Sequence, residues 1–349
     1  MKIKEGVSQC GAGAVTGWAT EGMPEIGPAD FDGFLIGNAE NAEAGTGCTV
    51  ILCPDGRTAG VDVRGGGPAT RETDVLRSEN MIEKIHGVLL TGGSAFGLDA
   101  ASGVMEWLRG RGAGYGTGFG NVPIVCGAAL FDLVTGDGGV FPDREMGFLS
   151  CKNAEKAGYR DGGFGAGAGA TVGKLFGPGR MMKSGIGFFG VRVGHVKCGA
   201  VIAVNALGDV IDPVRGIALA GLRSLDGKRL ASTEAAMAAG ISGKLDVFGG
   251  DSRENTTIGC ILTNARLTKP QANKLASAAH NGLAKAIRPL HTSADGDTLF
   301  SLHGGEVYAD PDALGVIAAE TAARAAIRAV LSAEPAYGLP SAKSFFGEV

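Results

Sequence analysis

The segment Asn255-Thr256-Thr257 carries the residue types that a chain needs to cut itself. A Gly-rich, charged stretch, Gly249-Gly250-Asp251-Ser252-Arg253-Glu254, precedes it, and the apolar run Ile258-Gly259-Cys260-Ile261-Leu262 follows it. A hydroxyl group at the mouth of a buried strand can attack the preceding carbonyl and transfer that acyl group from nitrogen to oxygen. Hydrolysis of the ester leaves Thr256 as a new N-terminus, so we predict cleavage between Asn255 and Thr256.

An N-terminal threonine would combine a nucleophile and a base in one residue. Its free α-amine, with an unperturbed pKa of about 7.7–8.0, can take the proton from its own hydroxyl. The alternative interpretation is that Asn255-Thr256-Thr257 is a turn that opens an ordinary strand. A tripeptide is weak evidence until its context agrees, so the rest of the chain must decide.

A pair of carboxylates lies downstream, where one residue separates Asp295 from Asp297. On an extended segment, two side chains at this spacing face the same side. Together they could hold an ammonium group or orient a hydroxyl, which is the third group that nucleophilic sites need. Asp-Gly-Asp is also a common surface turn, and this alternative stays open. His291 is the histidine of greatest interest because it adjoins this segment.

Apolar strand-like runs adjoin these polar residues, and amphipathic helices follow them. The runs are Cys198–Asn205, Thr256–Asn264 and Thr298–Leu302. Thr268 and Gln271 form a capping box at the start of one helix. Asp310 is placed to cap the last helix, with Pro311 at its first position.

The first half of the chain mixes short strands with helical patterns. Thr49–Cys53 ends at the turn sequence Pro54-Asp55-Gly56, and Ala59–Arg64 then resumes as an expected hairpin partner. Residues 217–255 are polar, Ala-rich and weakly patterned, and we interpret them as a flexible linker. Imperfect alternation with hairpins favours sheets packed face to face, with helices on the outer sides.

Composition limits the class of protein and of partner. The chain has 349 residues, 44% of them apolar, so it can bury a large core as one domain or two intimate ones. A net charge of −4 without a basic block argues against a nucleic-acid partner and favours a small-molecule substrate. The seven cysteines are scattered and without CxxC spacing, which indicates a reduced, intracellular compartment. With no signal peptide or membrane-spanning run in the sequence, we expect a cytoplasmic protein without a membrane partner.

Two cofactor hypotheses fail on spacing. In the glycine-rich run 167–174, the first glycine is one residue too early for a phosphate-binding P-loop, and Leu175 stands where Ser or Thr should bind Mg²⁺. The five histidines show no paired metal-ligand spacing. We therefore expect neither a cofactor nor a metal.

Several segments together resemble the self-processing L-aminopeptidase/D-esterase family, peptidase family S58, which includes β-peptidyl aminopeptidases and the nylon-oligomer endohydrolase. The resemblance runs over nearly the whole chain, in the same order. The matching segments are 60–66, 90–98, 165–174, 204–205, 255–258 and 291–300. It implies an α+β fold, a four-layer αββα sandwich of the N-terminal-nucleophile type that ornithine acetyltransferases share. It further implies one intimate domain over 1–349, cleaved into an α fragment, 1–255, and a β fragment, 256–349.

The family pattern also implies roles for residues of this chain. Thr256 would be the nucleophile and its α-amine the base, while Asp295 and Asp297 would hold the ammonium or orient the hydroxyl. Asn205 would donate its side-chain N–H to the developing oxyanion. Lys174 would add positive charge near the α-amine and so favour its neutral, basic form. The alternatives are a hairpin turn at Asn205 and a solvated surface lysine at Lys174.

Thr256 with Asp295 and Asp297 looks closer to the nylon-oligomer hydrolase than to the relatives that act on β-peptides, which pair a serine nucleophile with downstream Ser and Glu. Phe131 stands where some relatives carry a tyrosine that lines the oxyanion region. We expect a hydrolase of amide bonds in small peptides, amino-acid amides or oligomers, acting through an acyl-enzyme as a homo-oligomer, a tetramer of cleaved protomers. The alternatives are an acyltransferase like the ornithine acetyltransferases and a non-enzymatic binding or scaffold protein.

Overall fold

Two stacked β-sheets form the centre of the fold, and one long strand belongs to both. The structure is a computed structural model, and it describes residues 17–241 and 255–347. The strands are β1 (Glu25–Ile26), β2 (Leu35–Asn41), β3 (Thr46–Val63), β4 (Ala69–Arg71), β5 (Ile85–Thr91), β6 (Tyr115–Gly116), β7 (Asn121–Val122), β8 (Val125–Ala129), β9 (Thr171–Val172), β10 (Met182–Lys183), β11 (Ile186–Val193), β12 (Val196–Asn205), β13 (Asp209–Asp212), β14 (Ile217–Ala220), β15 (Thr256–Ala265), β16 (Ile287–Arg288) and β17 (Thr298–Val307).

Helices cover the outer faces of the two sheets. The α-helices are α1 (Ala100–Arg109), α2 (Arg144–Ala154), α3 (Thr233–Ala239), α4 (Lys269–Ala286), α5 (Pro311–Leu331) and α6 (Ala342–Phe346). The short 3-10 helices are Pro28–Asp30, Asp74–Leu76, Ser94–Asp99, Gly165–Gly167 and Pro178–Arg180.

The first sheet has the order β1-β11-β12-β15-β17-β3, and the second contains β2, the first part of β3, β5, β8 and β4. Helices α4 and α5 pack on the outer face of the first sheet, and α1 and α2 on the outer face of the second. The layers therefore run helix, sheet, sheet, helix. The predicted αββα sandwich is confirmed.

Alternating side chains of each central strand serve two different cores. In β12, Val201 and Ala203 pack between the two sheets, whereas Ala200, Ile202 and Val204 pack against the helices. The chain achieves close contacts there with very small side chains. A Cβ atom on Gly282 of α4 would lie only 1.6 Å from the carbonyl oxygen of Ala319 in α5.

The hairpin predicted at Pro54-Asp55-Gly56 is wrong, because strand β3 runs through these residues. The turn sequence Pro54-Asp55-Gly56 lies inside one continuous strand, where the pairing with β5 shifts register between Leu52 and Arg57. Gly56 adopts a φ of +72°, which a glycine tolerates and which fits a bulge. The bulge carries β3 from the second sheet into the first, where its end pairs with β17.

The first part of the predicted linker, residues 217–241, contains a strand and a helix. Strand β14 pairs with β13, and helix α3 follows with Ser232 as its N-cap. The buried carboxylate of Asp209 accepts hydrogen bonds from the backbone of Leu222 and from both the backbone and hydroxyl of Thr233. This distant acceptor orders a segment whose own sequence is weakly patterned. The rest of the predicted linker, except Asn255, lies outside the described residues.

Both predicted helix starts are present. Thr268 and Gln271 form the capping box of α4, and the Asp310 side chain caps α5 with Pro311 at its first position. Within the described ranges, none of the helices combines the length and the apolar character that crossing a bilayer requires.

Candidate active site

The end of β12 and the start of β15 meet next to the segment that leads into β17. β15 and β17 are parallel neighbours, so their first residues lie together, while β12 is antiparallel to β15 and therefore ends beside its start. Asn205, the last residue of β12, is paired with Thr256, the first residue of β15. Asn255 forms a parallel bridge with Asp295. The topology thus brings these four polar residues to one edge of the first sheet.

The Thr256 hydroxyl lies against the carbonyl that the self-cleavage hypothesis requires it to attack. Thr256 is 4% exposed, and its hydroxyl donates to the carbonyl oxygen of Asn255 at 2.5 Å. The same oxygen accepts a hydrogen bond from the Gly296 N–H at 2.8 Å. Asn255 is itself 1% exposed, so the junction is buried on both sides.

The Asn205 side chain is held by two segments of the first half of the chain. Its Oδ1 accepts from the Thr171 N–H at 3.0 Å, and its Nδ2 donates to the Phe131 carbonyl at 2.7 Å. Asn205 is fully buried, and Nδ2 carries a second hydrogen. Phe131 thus contributes its backbone carbonyl to this region, where the family resemblance suggested a tyrosine side chain.

The two predicted carboxylates are both buried, and they have different partners. Asp297 accepts from the Thr257 N–H at 2.6 Å and from the His291 N–H at 3.0 Å. Asp295 accepts from the Thr292 N–H at 2.5 Å through Oδ2, while its Oδ1 is buried without a hydrogen-bond partner among the described residues. Burial, and secondly the neighbouring Asp297, raises the pKa of Asp295. Asp297 therefore fixes the residue after Thr256, while burial favours the protonated form of Asp295.

His291 belongs to this site, as its position in the sequence suggested. Its Nδ1 lies 2.9 Å from Asp297 Oδ2, and its ring packs edge-on against His280 with a centroid separation of 4.7 Å. His280 Nε2 contacts the Asp62 carbonyl at 3.1 Å, and burial lowers the pKa of His280 to about 4. His280 is therefore neutral, and its ring packs against His291. His291 in turn contacts Asp297 through its backbone N–H and its Nδ1, so the two histidines support the position of Asp297.

Lys174 is a buried cation and not a solvated side chain. It is 4% exposed, and its Nζ has no hydrogen-bond partner among the residues that the structure describes. Burial lowers the pKa of Lys174 to about 7, and the negative charges of Asp132 and Asp295 oppose this shift. The negative charges of Asp132 and Asp295 therefore favour the charged form of Lys174, against the effect of burial.

Asp132 is a member of the site that sequence reasoning missed. Its carboxylate accepts from the Gly93 N–H at 2.7 Å and from the Thr46 hydroxyl at 2.8 Å. Burial raises the pKa of Asp132 to about 6, which Lys174 partly opposes. The available signal was an acidic residue directly after the apolar run Ala128-Ala129-Leu130-Phe131, which begins at the end of β8. Such a residue is buried at a cost unless it has partners.

A second buried lysine, Lys183, is bound by backbone carbonyl groups. Lys183 Nζ donates to the carbonyl oxygens of Gly167, Ala170 and Ser184, at 2.9, 3.3 and 2.5 Å. These bonds use all three donors of the ammonium group and hold the glycine-rich segment. Within residues 17–241 and 255–347, no group of three or more His, Cys, Asp or Glu side chains could hold a metal ion.

Comparisons with known proteins match nearly the whole chain. A family model described as peptidase family S58 matches residues 29–343. An uncharacterized aminopeptidase of Mycobacterium bovis is 37% identical over 348 residues, which covers 91% of this chain and 97% of the relative. A 6-aminohexanoate-oligomer endohydrolase of a Kocuria species is 31% identical over 281 residues, which covers 80% of this chain and 75% of the relative.

A solved structure shares the fold. It is the L-aminopeptidase D-Ala-esterase/amidase from Ochrobactrum anthropi, described as a variant of the Ntn hydrolase fold. The TM-score is 0.60 at 17% sequence identity, and the alignment covers 89% of both chains. At this identity the likeness concerns the fold alone.

Proposed function

The chain belongs to peptidase family S58, and we propose that it is an amide hydrolase that cleaves itself before Thr256 and then uses Thr256 as its nucleophile. Family membership makes it an amidohydrolase with an N-terminal-nucleophile fold, as expected from the sequence. The observation that carries the proposal is the contact of 2.5 Å between the Thr256 hydroxyl and the Asn255 carbonyl oxygen at the mouth of β15.

The self-cleavage step is an acyl shift followed by hydrolysis. The Thr256 oxygen attacks the Asn255 carbonyl carbon, a C–O bond forms, and the C–N bond to Thr256 breaks. The hydroxyl proton ends on the released nitrogen, so the intermediate is an ester with a free α-amine. Water then hydrolyses the ester to an Asn255 carboxylate and restores the Thr256 hydroxyl. The products are residues 1–255 and 256–349.

In the proposed cycle, the new α-amine accepts the Thr256 hydroxyl proton while the oxygen attacks the substrate carbonyl. The C–N bond of the substrate breaks, its amine leaves with that proton, and water hydrolyses the resulting ester. Asn205 is paired with Thr256, and Nδ2 is already fixed by the Phe131 carbonyl. Such a preorganised N–H group would stabilise the oxyanion, a contribution of several kcal/mol in known sites.

The buried side chains of Asp295, Asp297 and Lys174 help the α-amine of Thr256 to act as the base in this proposal. Asp295 is bridged to Asn255, and Asp297 binds the Thr257 N–H, so both carboxylates flank the new N-terminus. In the proposal they bind the α-ammonium and orient it, while Lys174 opposes its protonation. The balance keeps the amine able to accept a proton near neutral pH.

We propose small peptides, amino-acid amides or amide oligomers as substrates. Support comes from the 31% identity to a relative that is named for 6-aminohexanoate oligomers.

Two measurements test the proposal. Intact mass and Edman sequencing of the purified protein should give fragments 1–255 and 256–349, with threonine as the first residue of the smaller one. The processed protein should then hydrolyse members of a panel of amino-acid p-nitroanilides, β-peptides and amide oligomers. A protein that never cleaves yet hydrolyses amides at full rate would contradict the proposal. Transfer of an acetyl group to an added amine in preference to water would instead indicate an acyltransferase.

A further inference from the structure

The carbonyl oxygen of Asn255 is held by two donors from different parts of the chain. The Thr256 hydroxyl donates to it at 2.5 Å, and the Gly296 N–H donates to it at 2.8 Å. Only the hydroxyl is consumed when Thr256 attacks, because its oxygen becomes part of the new bond. The Gly296 N–H remains in place, directed at the oxygen on which negative charge would develop.

The sheet itself positions this N–H group. Ile258 is paired with Thr298 in the parallel ladder of β15 and β17, and Asn255 is bridged to Asp295 with the same offset. Between these points the Thr257 N–H binds the Asp297 side chain at 2.6 Å. The Gly296 donor therefore lies on an extension of a buried ladder, so it is oriented before the reaction starts. Preorganised donors of this kind need no reorganisation as charge develops.

Residue 296 also has to lack a side chain. A Cβ atom on Gly296 would lie 2.8 Å from Thr256 Oγ1 and 3.0 Å from the Gly67 carbonyl oxygen. The first distance is shorter than real Cβ contacts, and the second neighbour is backbone that cannot turn away. A side chain here would displace either the nucleophile or the donor.

We propose that the backbone N–H of Gly296 is the oxyanion donor for cleavage between Asn255 and Thr256. This inference rests on the proposed self-cleavage. In the acyl shift, the Thr256 oxygen bonds to the Asn255 carbon and the carbonyl electron pair moves onto its oxygen, where the Gly296 N–H stabilises it. When the pair returns, the C–N bond breaks and the Thr256 nitrogen takes the proton that left the hydroxyl.

The variant Gly296→Ala tests this proposal, with Gly67→Ala as the matched control. Gly67 lies in the same neighbourhood, and a Cβ there would approach nothing closer than 3.9 Å. We expect Gly296→Ala to slow cleavage by about 10²-fold or more, the effect of losing one oxyanion donor, while Gly67→Ala cleaves like the wild type. Intact-mass time courses give the rates, and thermal melting reports whether each variant is folded.

The outcomes separate this inference from the proposed function. Wild-type cleavage with a Gly296→Ala rate within about threefold of it would overturn the oxyanion assignment and leave self-cleavage standing. No wild-type cleavage at this bond would overturn both. Hydroxylamine, which attacks esters, locates the slowed step: rescue of Gly296→Ala by hydroxylamine would place the defect in ester hydrolysis and contradict a role in the acyl shift.

Hydrogen exchange tests the donor without any change at residue 296. In a Thr256→Ala precursor, the Gly296 amide should exchange slowly because it binds the Asn255 carbonyl. In the cleaved wild type, where Asn255 is released, deuterium uptake by peptides covering 295–297 should be faster by about tenfold or more, equivalent to the loss of one hydrogen bond. Equal uptake in the two forms would overturn the proposal even if Gly296→Ala fails to fold.

Discussion

Asn205 lies directly opposite Thr256 in the antiparallel pair of β12 and β15, and both are buried. The first side chain is tied to the Phe131 carbonyl and the Thr171 N–H, so the end of β12 is fixed by segments from the first half of the chain. Thr256 is the first residue of β15, the strand that follows the cleavage junction. The pair therefore joins the two proposed fragments at the point where an amide substrate would react.

Asn205→Ala should lower kcat by about 10²-fold or more, because it removes the proposed oxyanion donor for the substrate. It also leaves the Phe131 carbonyl unpaired, so a loss of stability is expected in addition. Asn38→Ala is the control for that loss, since Asn38 is a buried amide that donates to the Arg160 carbonyl at 2.9 Å. Steady-state kinetics and melting curves of both variants separate the effects. Unchanged turnover in Asn205→Ala would reduce Asn205 to a structural residue.

Thr256→Ala should give a folded, uncleaved and inactive precursor, because no hydroxyl remains to attack Asn255. Thr257→Val is the matched control. The Thr257 hydroxyl is buried without a hydrogen-bond partner among the described residues, so its replacement by a methyl group should leave cleavage intact. Intact mass after prolonged incubation and amide hydrolysis check both variants. A cleaved, active Thr256→Ala protein would refute the nucleophile assignment.

Local sequence signals predicted the parts of the fold that depend on neighbours in the chain. The capping box at Thr268 and the cap at Asp310 were readable because each uses residues within one helical turn. The turn predicted at Pro54-Asp55-Gly56 was wrong because a bulge uses the same residue types, and only the two sheets decide between them. Order in residues 217–241 depends on Asp209, which no local pattern links to α3.

The candidate site likewise contains some residues that the sequence predicts and some groups that only the fold reveals. Thr256, Asp295 and Asp297 were predicted because their residue types and spacing suggest chemistry without reference to the fold. Asp132 and the Gly296 N–H were missed, because their contribution comes from burial and from a backbone group placed by a parallel ladder. A backbone donor has no residue type to recognise, so only the pairing of β15 with β17 reveals it.

Lys174→Met should move the acid limb of the kcat/KM profile to higher pH. The charged ammonium disfavours protonation of the Thr256 α-amine, so removing it raises the pKa of that amine, by about one unit for a nearby charge. The pKa of Lys174 itself is lowered to about 7 by burial, so its charge fades above neutrality and the two profiles should converge at high pH. The loss is therefore expected to be about tenfold near pH 6.

Lys183→Met is the control for this profile. Burial also lowers the pKa of Lys183 to about 7, but its ammonium group is bound by the backbone carbonyl groups of Gly167, Ala170 and Ser184. The variant should lose stability, by about 3 kcal/mol from buried unpaired carbonyls, without a shift of the acid limb. Equal shifts in both lysine variants would contradict a specific effect of Lys174 on the α-amine.

Asp132→Asn should reveal a pH-dependent contribution to stability. Burial raises the pKa of Asp132 from its usual 3.8 to about 6 in the folded protein. Between these values the folded state holds a proton that the unfolded chain has released, so this contribution is complete below pH 4 and is lost as the pH rises through 6. The shift corresponds to roughly 3 kcal/mol.

Asn does not titrate, and its lost hydrogen bond to Thr46 or Gly93 is a constant offset. The melting temperature of the wild type minus that of the variant should therefore be larger at pH 5 than at pH 8, and a difference that stays constant across this range would show that Asp132 does not carry the raised pKa.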